Sequence, residues 1–506
     1  MRQGLPLACT LTALVLFPTS ITVLAGESPS ATASPSSRVL ASTLALHPAQ
    51  AIATSRSHET LVKPYLQLTK RLSFQSAQAT FSTSANTFLS HENSKLVQRV
   101  ALDGLTLSNA IGIAIARHPD ISRANAEVAQ RAAEIEVAKA AWYPKIDYGV
   151  KPGYGRSYSA SESGNAGAIR TSLGVNQLVY DFGVTSNRIK AADASREQTR
   201  YLVADTIETV ALNTAMSFVE LAATQDHIAA ANRQVEALQA TRTKIIDRVR
   251  AGLSVSSDRI LADLAIRRAE AEVEQAHTRR NVAATKLAEL IGVHPERVAS
   301  LADTVSLIGN LGVADDDVDQ RPSIKAAGAA VQVADAKLEI ARGSRYPSVG
   351  IGATRTVSTG PASALNDTWV GLTLNGSFSF GNLSTHQIDA AQAAAQASRE
   401  ALENERLISR SALRAAQTEA DGAAERMVSF EKIIELAQVS RDLYWQEYIL
   451  NKRTLTDVIT PERDIYQSEV EWINALADGT MARIRARVAV GLFVQQLRDR
   501  EGNYHD

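Results

Sequence analysis

Cysteine is almost absent from this sequence, since its 506 residues include only Cys9. That residue lies in a segment that we interpret below as a removable leader. We therefore expect the mature chain to have no disulfide, no thiolate metal site and no catalytic thiol. Aromatic residues make up only 5% of the chain, so its 45% of hydrophobic residues are mostly small and aliphatic. So few large apolar side chains are not enough to fill several globular cores, although the length allows three or four domains.

The chain also lacks an excess of either charge and lacks enzyme motifs. It has 53 lysines and arginines against 54 aspartates and glutamates, which gives no general electrostatic reason to bind nucleic acid. There is no HExxH, Walker, GxGxxG or GxSxG motif, and the histidines show no close pairing. We predict no enzyme activity, no cofactor, no metal site and no nucleic-acid partner. The adjacent Asp226 and His227 are interpreted as part of a solvated helix face.

Residues 1–25 have the features of a signal peptide. A positive charge precedes an apolar run that is too short to span a bilayer as a helix, and small residues end at Ala25. The alternative is an ordinary buried N-terminal helix. The residues before Cys9 lack the aliphatic signal of a lipid anchor. Residues 26–100 are rich in Ser, Thr and Ala without any repeat, and are predicted to be a disordered extension.

The rest of the sequence repeats itself at an offset of about 200 residues. Short segments recur 203 residues apart early in each copy and 198 or 199 residues apart later. The matching segments are His118–Ile121 with Arg321–Ile324, Trp142–Lys145 with Arg345–Ser348, Tyr180–Gly183 with Phe378–Gly381, Ser257-Asp258 with Thr456-Asp457, and Gly292 with Gly491. We interpret the chain as two copies of one unit, at residues 101–310 and 311–506.

A long helix followed by a return helix is predicted in each copy. No Gly or Pro occurs in the 68 residues before Gly252, and a helix of that length would span roughly 100 Å. The second copy repeats this up to Asn451. Both residues tolerate the left-handed backbone of a tight turn, so we predict reversals there and return helices to about Ile291 and Val490. Apolar residues with the 3-4 spacing of a coiled-coil seam are Leu221, Ile228, Ala231, Val235, Leu238, Ile245 and Val249.

Each copy also predicts a β-hairpin before its long helix. Apolar residues alternate there with charged residues, serines and glycines over segments of about ten residues. That length and pattern are typical of transmembrane barrel strands, although a soluble sandwich would share them. The predicted turns lie at Ser159–Gly167 and around Gly360-Pro361. The alternating residues are Ile146, Tyr148, Val150, Tyr154, Ile169, Thr171, Leu173 and Val175 in the first copy, and Val349, Ile351, Ala353, Val357, Val370, Leu372 and Leu374 in the second.

Taken in order, these features resemble the TolC family of outer-membrane export ducts. The resemblance runs from about Leu105 to Leu497. Its most specific parts are the two turn segments, Gly252–Asp258 and Asn451–Val458. It implies a mainly helical fold with membrane β-structure: long antiparallel coiled-coil helices forming a periplasmic α-barrel, and four strands per protomer in a shared twelve-stranded β-barrel.

The resemblance also implies a function and partners. A homotrimer would form a passive duct in outer-membrane lipid, with a large periplasmic portion. It would dock to a periplasmic adaptor (membrane fusion protein) and to an inner-membrane ABC or proton-driven transporter. Cargo would pass through without any reaction.

Four residues at the periplasmic tip gain a role from the resemblance. Tyr448 and Arg453 match residues that link neighbouring coiled coils in closed TolC, and Ser257 and Asp258 match the residues that they reach. Three plainer interpretations stay open: Tyr448 as a seam aromatic, Asp258 as a charge that stabilises its helix dipole, and Arg453 as the partner of Asp457 in an exposed i,i+4 pair.

Three more residues at this tip bear on the aperture. The family constriction carries two acidic residues, of which one matches Asp457 while the other falls on Thr460. The usual turn glycine is replaced by Asn451. Pro461 lies where the return helix normally continues, so we expect a local kink there or a restart with Thr460 as N-cap.

The leading interpretation is therefore an outer-membrane channel of a tripartite export system. Without a lipoprotein signal, and with the turn segment Arg453–Val458, type I protein secretion is favoured over a drug-efflux outer-membrane factor. An alternative of another class is an exported coiled-coil structural protein. An exported hydrolase would need a site that the sequence does not contain.

Overall fold

The fold is described from a computed structural model, over residues 104–158, 163–309, 315–359 and 365–502. These residues belong to one compact unit, residues 82–506. The predicted leader and extension, and the loop around Gly360-Pro361, lie outside the described residues.

Helices and strands follow one another in the same order twice. Each copy has a helix, a hairpin, a helix of 67 residues and a return helix of 36 residues. The elements are α1 (Leu107–Arg117), α2 (Pro119–Lys139), β1 (Lys145–Tyr158), β2 (Ser163–Tyr180), α3 (Val184–Arg250), α4 (Ser256–Ile291), α5 (Leu301–Ile308), α6 (Pro322–Gly343), β3 (Ser348–Thr359), β4 (Leu365–Asn375), α7 (Leu383–Ile449), α8 (Leu455–Val490) and α9 (Phe493–Gly502), with short 3-10 turns at Ala140–Trp142 and Asp315–Gln320.

The long helices α3 and α7 end where the sequence predicts. Gly252 and Asn451 have positive φ values of 73° and 57°, the left-handed geometry that reverses the chain into α4 and α8. Those return helices end at Ile291 and Val490, each followed by a glycine with φ of 72°. Of the helices described, none combines the length and the apolar character that a bilayer-spanning helix needs.

The predicted coiled-coil seam is confirmed in the packing of α3. Every seam position from Leu221 to Val249 is buried or half-buried. The polar seam residue Arg242 forms an ion pair with Asp263 of α4. Fully burying one large aliphatic side chain, such as Ile245, contributes roughly 1.5 to 3 kcal/mol.

The largest apolar core lies midway along the long helices. There α3 packs against α1, α4, α5 and α8, and α9 covers one end. The side chains that are almost fully buried in this core include Ile111, Phe218, Leu287 and Phe493. Because α9 contributes Phe493 and Leu497, the last described helix is part of this core.

The expected restart of the helix at Thr460 and the expected solvent exposure of His227 are wrong. Helix α8 begins at Leu455 with Thr454 as its N-cap and passes through Pro461 without restarting at Thr460. The proline costs the helix the hydrogen bond to the Asp457 carbonyl and crowds that carbonyl, but the capping box at Thr454 has already started the helix. His227 is buried rather than solvated, because α8 packs along this part of α3, and burial lowers its pKa.

The four strands form one antiparallel sheet in the order β1-β2-β3-β4. The predicted alternation is confirmed, since Ile146 pairs with Val175, and Ala353 with Val370, on one face. The first hairpin is longer than predicted, with strands of 14 and 18 residues. The predicted turn overlaps this hairpin, because β2 already begins at Ser163.

The helices also pack in a definite lateral order. Near the sheet the packed neighbours are α2-α3-α6-α7, and beyond the core they are α4-α3-α8-α7. Each layer of this single chain therefore ends in an outer element: β1 and β4 in the sheet, α2 and α7 next to it, and α4 and α7 towards the turns.

Candidate functional site at the helical tip

The tip is formed by the two tight turns that join α3 to α4 and α7 to α8. After α3, the amide of Leu253 donates to the Arg248 carbonyl at 2.8 Å. After α7, the amide of Lys452 donates to the Glu447 carbonyl at 2.9 Å. In both turns this hydrogen bond satisfies a backbone carbonyl in the last turn of the helix that would otherwise lack a partner. The two hairpins therefore have the same turn geometry at their tips.

Tyr448 links the two hairpins. Its hydroxyl donates to Asp258 Oδ2 at 2.7 Å and lies 3.0 Å from Ser254 Oγ. Arg248 Nε in turn donates to Ser254 Oγ at 3.2 Å. Burial raises the pKa of Tyr448, and the neighbouring Asp258 carboxylate adds to this rise. The chain Arg248, Ser254, Tyr448, Asp258 therefore runs from one hairpin to the other and back.

The ring of Tyr448 also belongs to the apolar packing of the tip. It is 5% exposed and packs with Ile245, Leu455 and Val458. The plainer interpretation as a seam aromatic thus describes the ring, while the hydroxyl makes the polar link.

Arg453 turns towards its own hairpin in this chain. Its Nε donates to Glu447 Oε2 at 2.8 Å, and its guanidinium lies 4.2 Å from the centroid of the Tyr444 ring. Among the described residues it forms no hydrogen bond with Ser257 or Asp258, and no ion pair with Asp457.

Asp457 closes the N-terminus of α8. Its Oδ2 accepts from the Thr454 amide at 3.0 Å and from the Thr454 hydroxyl at 2.8 Å, a capping box that lowers the pKa of Asp457. The Thr460 hydroxyl donates to the Thr456 carbonyl of its own helix at 2.9 Å. One oxygen of the predicted aperture carboxylate therefore has a structural function.

The sequence reasoning missed Arg248, Ser254, Tyr444 and Glu447. Each lies within one helical turn of a predicted tip residue, and an arginine in the last turn of a helix is a usual signal of helix termination. The partners of Arg248, Tyr444 and Glu447 lie six to nine residues away across a turn, outside the i,i+3 and i,i+4 spacings of a helix, so helical spacing gave no sign of them. Within the described ranges, no group of three or more His, Cys, Asp or Glu side chains could hold a metal ion.

Several solved outer-membrane proteins share this fold. VceC of Vibrio cholerae superposes with a TM-score of 0.65 at 15% identity, covering 76% of this chain and 96% of VceC. The open MtrE channel of Neisseria gonorrhoeae gives 0.64 at 17% identity, covering 77% and 89%. CusC gives 0.68 at 15% identity, covering 76% and 91%. At these identities the likeness shows the architecture of an outer-membrane channel.

The family follows from the sequence match. Residues 110–293 and 315–492 match the outer membrane efflux protein family, and the chain belongs to it. Protein CyaE of Bordetella pertussis is 25% identical over 258 residues, which span 49% of this chain and 54% of CyaE. Membership of the outer membrane efflux protein family confirms the TolC-like fold and an outer-membrane location with a large periplasmic helical part. It also confirms that the protein is a channel rather than an enzyme, so the alternatives of a structural rod and an exported hydrolase are wrong.

Proposed function

We propose that three copies of this chain form the outer-membrane duct of a tripartite export system, and that its cargo is protein delivered by type I secretion. A periplasmic adaptor and an inner-membrane ABC transporter would supply that cargo. The Arg453–Val458 turn supports this branch over drug efflux with a proton-driven pump. Cross-linking in cells, followed by identification of the bound transporter, distinguishes the two branches.

The observation that carries the proposal is the set of open edges of the single chain. In the described sheet β1 and β4 each have one edge without a strand partner. Unpaired backbone groups are intolerable in hydrocarbon, so β4 of one copy must pair with β1 of the next. Three chains of four strands would close the twelve-stranded barrel that the family resemblance implies.

The outer helices support the same assembly. Helix α7 exposes Leu436, Val439 and Leu443, and α4 exposes Ile260 and Leu264. These two helices lie at opposite ends of the helical layer. A head-to-tail ring of copies would bury one set against the other, and such a heterologous contact closes when the rotation returns to the start.

We further propose that Tyr448, Arg453, Ser257 and Asp258 hold the periplasmic tip shut. Tyr448 would act within each chain and Arg453 between copies, while Asp457 and Thr460 would line the aperture. A polar link at a surface contributes at most about 1 kcal/mol. Two links in each of three copies would sum to at most about 6 kcal/mol, comparable to the roughly 5.5 kcal/mol that switches a two-state gate. A docking partner could overcome this.

The test is single-channel conductance of the purified protein in planar bilayers. Tyr448→Phe combined with Arg453→Ser removes the hydroxyl and the guanidinium, and we expect a higher conductance than wild type. Tyr444→Phe is the matched control, because it keeps the ring on which Arg453 stacks. No pore at all would contradict the duct. A pore with unchanged conductance in the double variant would contradict only the gate.

A further inference from the structure

The two faces of the sheet differ sharply in chemistry. One face carries exposed aliphatic and aromatic side chains such as Ile146, Tyr148 and Leu372. The opposite face carries glycine, serine, threonine and charged residues. In a membrane barrel the apolar face meets lipid and the polar face lines the lumen. The residues of the polar face include Lys145, Asp147, Gly149, Lys151, Arg170, Ser172, Gly352, Thr354, Asp367, Gly371 and Thr373.

Trp369 is the only aromatic residue on the polar face of the described strands, where Leu178 is a further large apolar residue. It pairs with Thr354 across β3 and β4, between Asp367 and Gly371 on its own strand. Its side chain is 44% exposed, so the indole is partly covered and partly open. A large aromatic ring on a lumen-facing strand position needs an explanation, because its neighbours on this face are small or polar.

Two glycines make room for the indole. A Cβ placed on Gly371 would come within 2.9 Å of Trp369 Cζ2, and one placed on Gly352 within 2.9 Å of Trp369 Cζ3. Real Cβ atoms essentially never approach so closely, so a side chain at either position would push the outer edge of the indole away from this floor of two glycines. The outer edge of the indole therefore lies over Gly352 and Gly371.

Asp367 is the charged residue next to Trp369 on the polar face, whereas Arg355 of the neighbouring strand lies on the apolar face. Asp367 lies two residues along the same strand face, about 7 Å away along the strand, and no ion-pair partner for it occurs among the described residues. The basic residues of the polar face, Lys145, Lys151 and Arg170, all belong to the first hairpin. An indole face beside a carboxylate attracts organic cations, because the ring quadrupole and the negative charge act together.

We propose that Trp369, on its glycine floor and next to Asp367, is a lumenal contact site for cationic groups of the passing cargo. The chemistry recognised is a guanidinium or ammonium group, either on a small organic cation or on the arginine and lysine side chains of a polypeptide. This site rests on the proposed duct, since it requires that the polar face lines a pore.

The test is block of single-channel current by two probes, tetrabutylammonium and a short oligo-arginine peptide, added from the outer side. Trp369→Leu should weaken block about two- to fivefold, the range expected for one exposed cation–π contact. Gly371→Ala keeps the tryptophan but displaces it, and should weaken block similarly. Gly153→Ala is the matched control, because it is a glycine of the same face with open space around it.

The outcomes distinguish the two sources of the cationic group, and they distinguish failure of the Trp369 site from failure of the proposed duct. Weaker block by tetrabutylammonium supports small organic cations, weaker block by the peptide supports polypeptide side chains, and either result supports the site. Unchanged block by both probes in Trp369→Leu would overturn it, and so would an equal loss of block by a neutral polyethylene glycol, which would indicate a purely steric effect. The absence of any pore would instead be a failure of the proposed duct.

Discussion

Glu208 is a buried carboxyl group of α3 that contacts the first turn of α9. Its Oε1 accepts from the Val494 amide at 3.2 Å, and the residue is only 6% exposed. Burial raises its pKa to about 7, with a further contribution from the charge of Asp205. A carboxylate at a helix N-terminus is normally favourable, so here the desolvation outweighs the helix end.

The pH dependence of stability follows from this shift. Between the ordinary glutamate pKa of 4.5 and about 7, the folded protein keeps a proton that the unfolded chain has released. Stability should therefore fall as pH rises through this window, by about 3 kcal/mol for a shift of this size. Glu208→Gln preserves the acceptor and removes the titration, so we expect a smaller loss of thermal stability between pH 5 and pH 8.

Circular dichroism melting of both proteins in detergent measures this effect. Some pH dependence should survive in the variant, because burial also raises the pKa of Asp205, Asp226 and Glu462. Identical pH profiles for variant and wild type would show that Glu208 is not the group responsible.

At the scale of elements, the two hairpins depend on backbone conformation at their turns. Gly252 has a φ of 73°, and no atom lies within 4 Å of the position that a Cβ would take there. A side chain at this position would therefore be disfavoured by the left-handed backbone conformation and not by a steric clash. Gly422 lies inside α7, where the nearest such atom is Arg426 Nη1 at 4.0 Å. The two glycines therefore differ in conformation and not in available space.

This difference predicts opposite effects of the same substitution. Gly252→Ala should destabilise the first hairpin by about 1 to 2 kcal/mol, the cost of a left-handed non-glycine residue. Gly422→Ala should stabilise α7 by about 0.5 to 1 kcal/mol, because alanine loses less backbone entropy in a helix. Midpoints of chemical unfolding compare them, and a shift of the same sign in both variants would refute the turn geometry.

At the scale of the whole molecule, the single chain leaves the edge strands β1 and β4 and the outer helices of each helical layer without a neighbour on one side. We expect the protein extracted in mild detergent to have the mass of three chains, because lone β1 and β4 edges cannot persist in lipid. Mass measurement of the intact complex decides this. A stable, membrane-inserted single chain would be incompatible with the proposed closure.

The sequence by itself determined the two hairpins, the two long helices, their return helices and the order of these elements. Long stretches without Gly or Pro, 3-4 apolar spacing and period-two alternation are local signals, and each predicts an element without knowledge of its neighbours. The same holds for the reversals at Gly252 and Asn451, where a left-handed residue is needed within the turn itself.

Only the tertiary structure decided which side chains meet. The bond from Tyr448 to Asp258 joins residues 190 positions apart, and family resemblance rather than spacing suggested that pair. The burial of His227 depends on α8 lying along α3, and the floor under Trp369 depends on Gly352 of the adjacent strand. These contacts arise from the lateral order of helices and strands, which a local pattern does not encode because the pattern is the same whichever neighbour covers it.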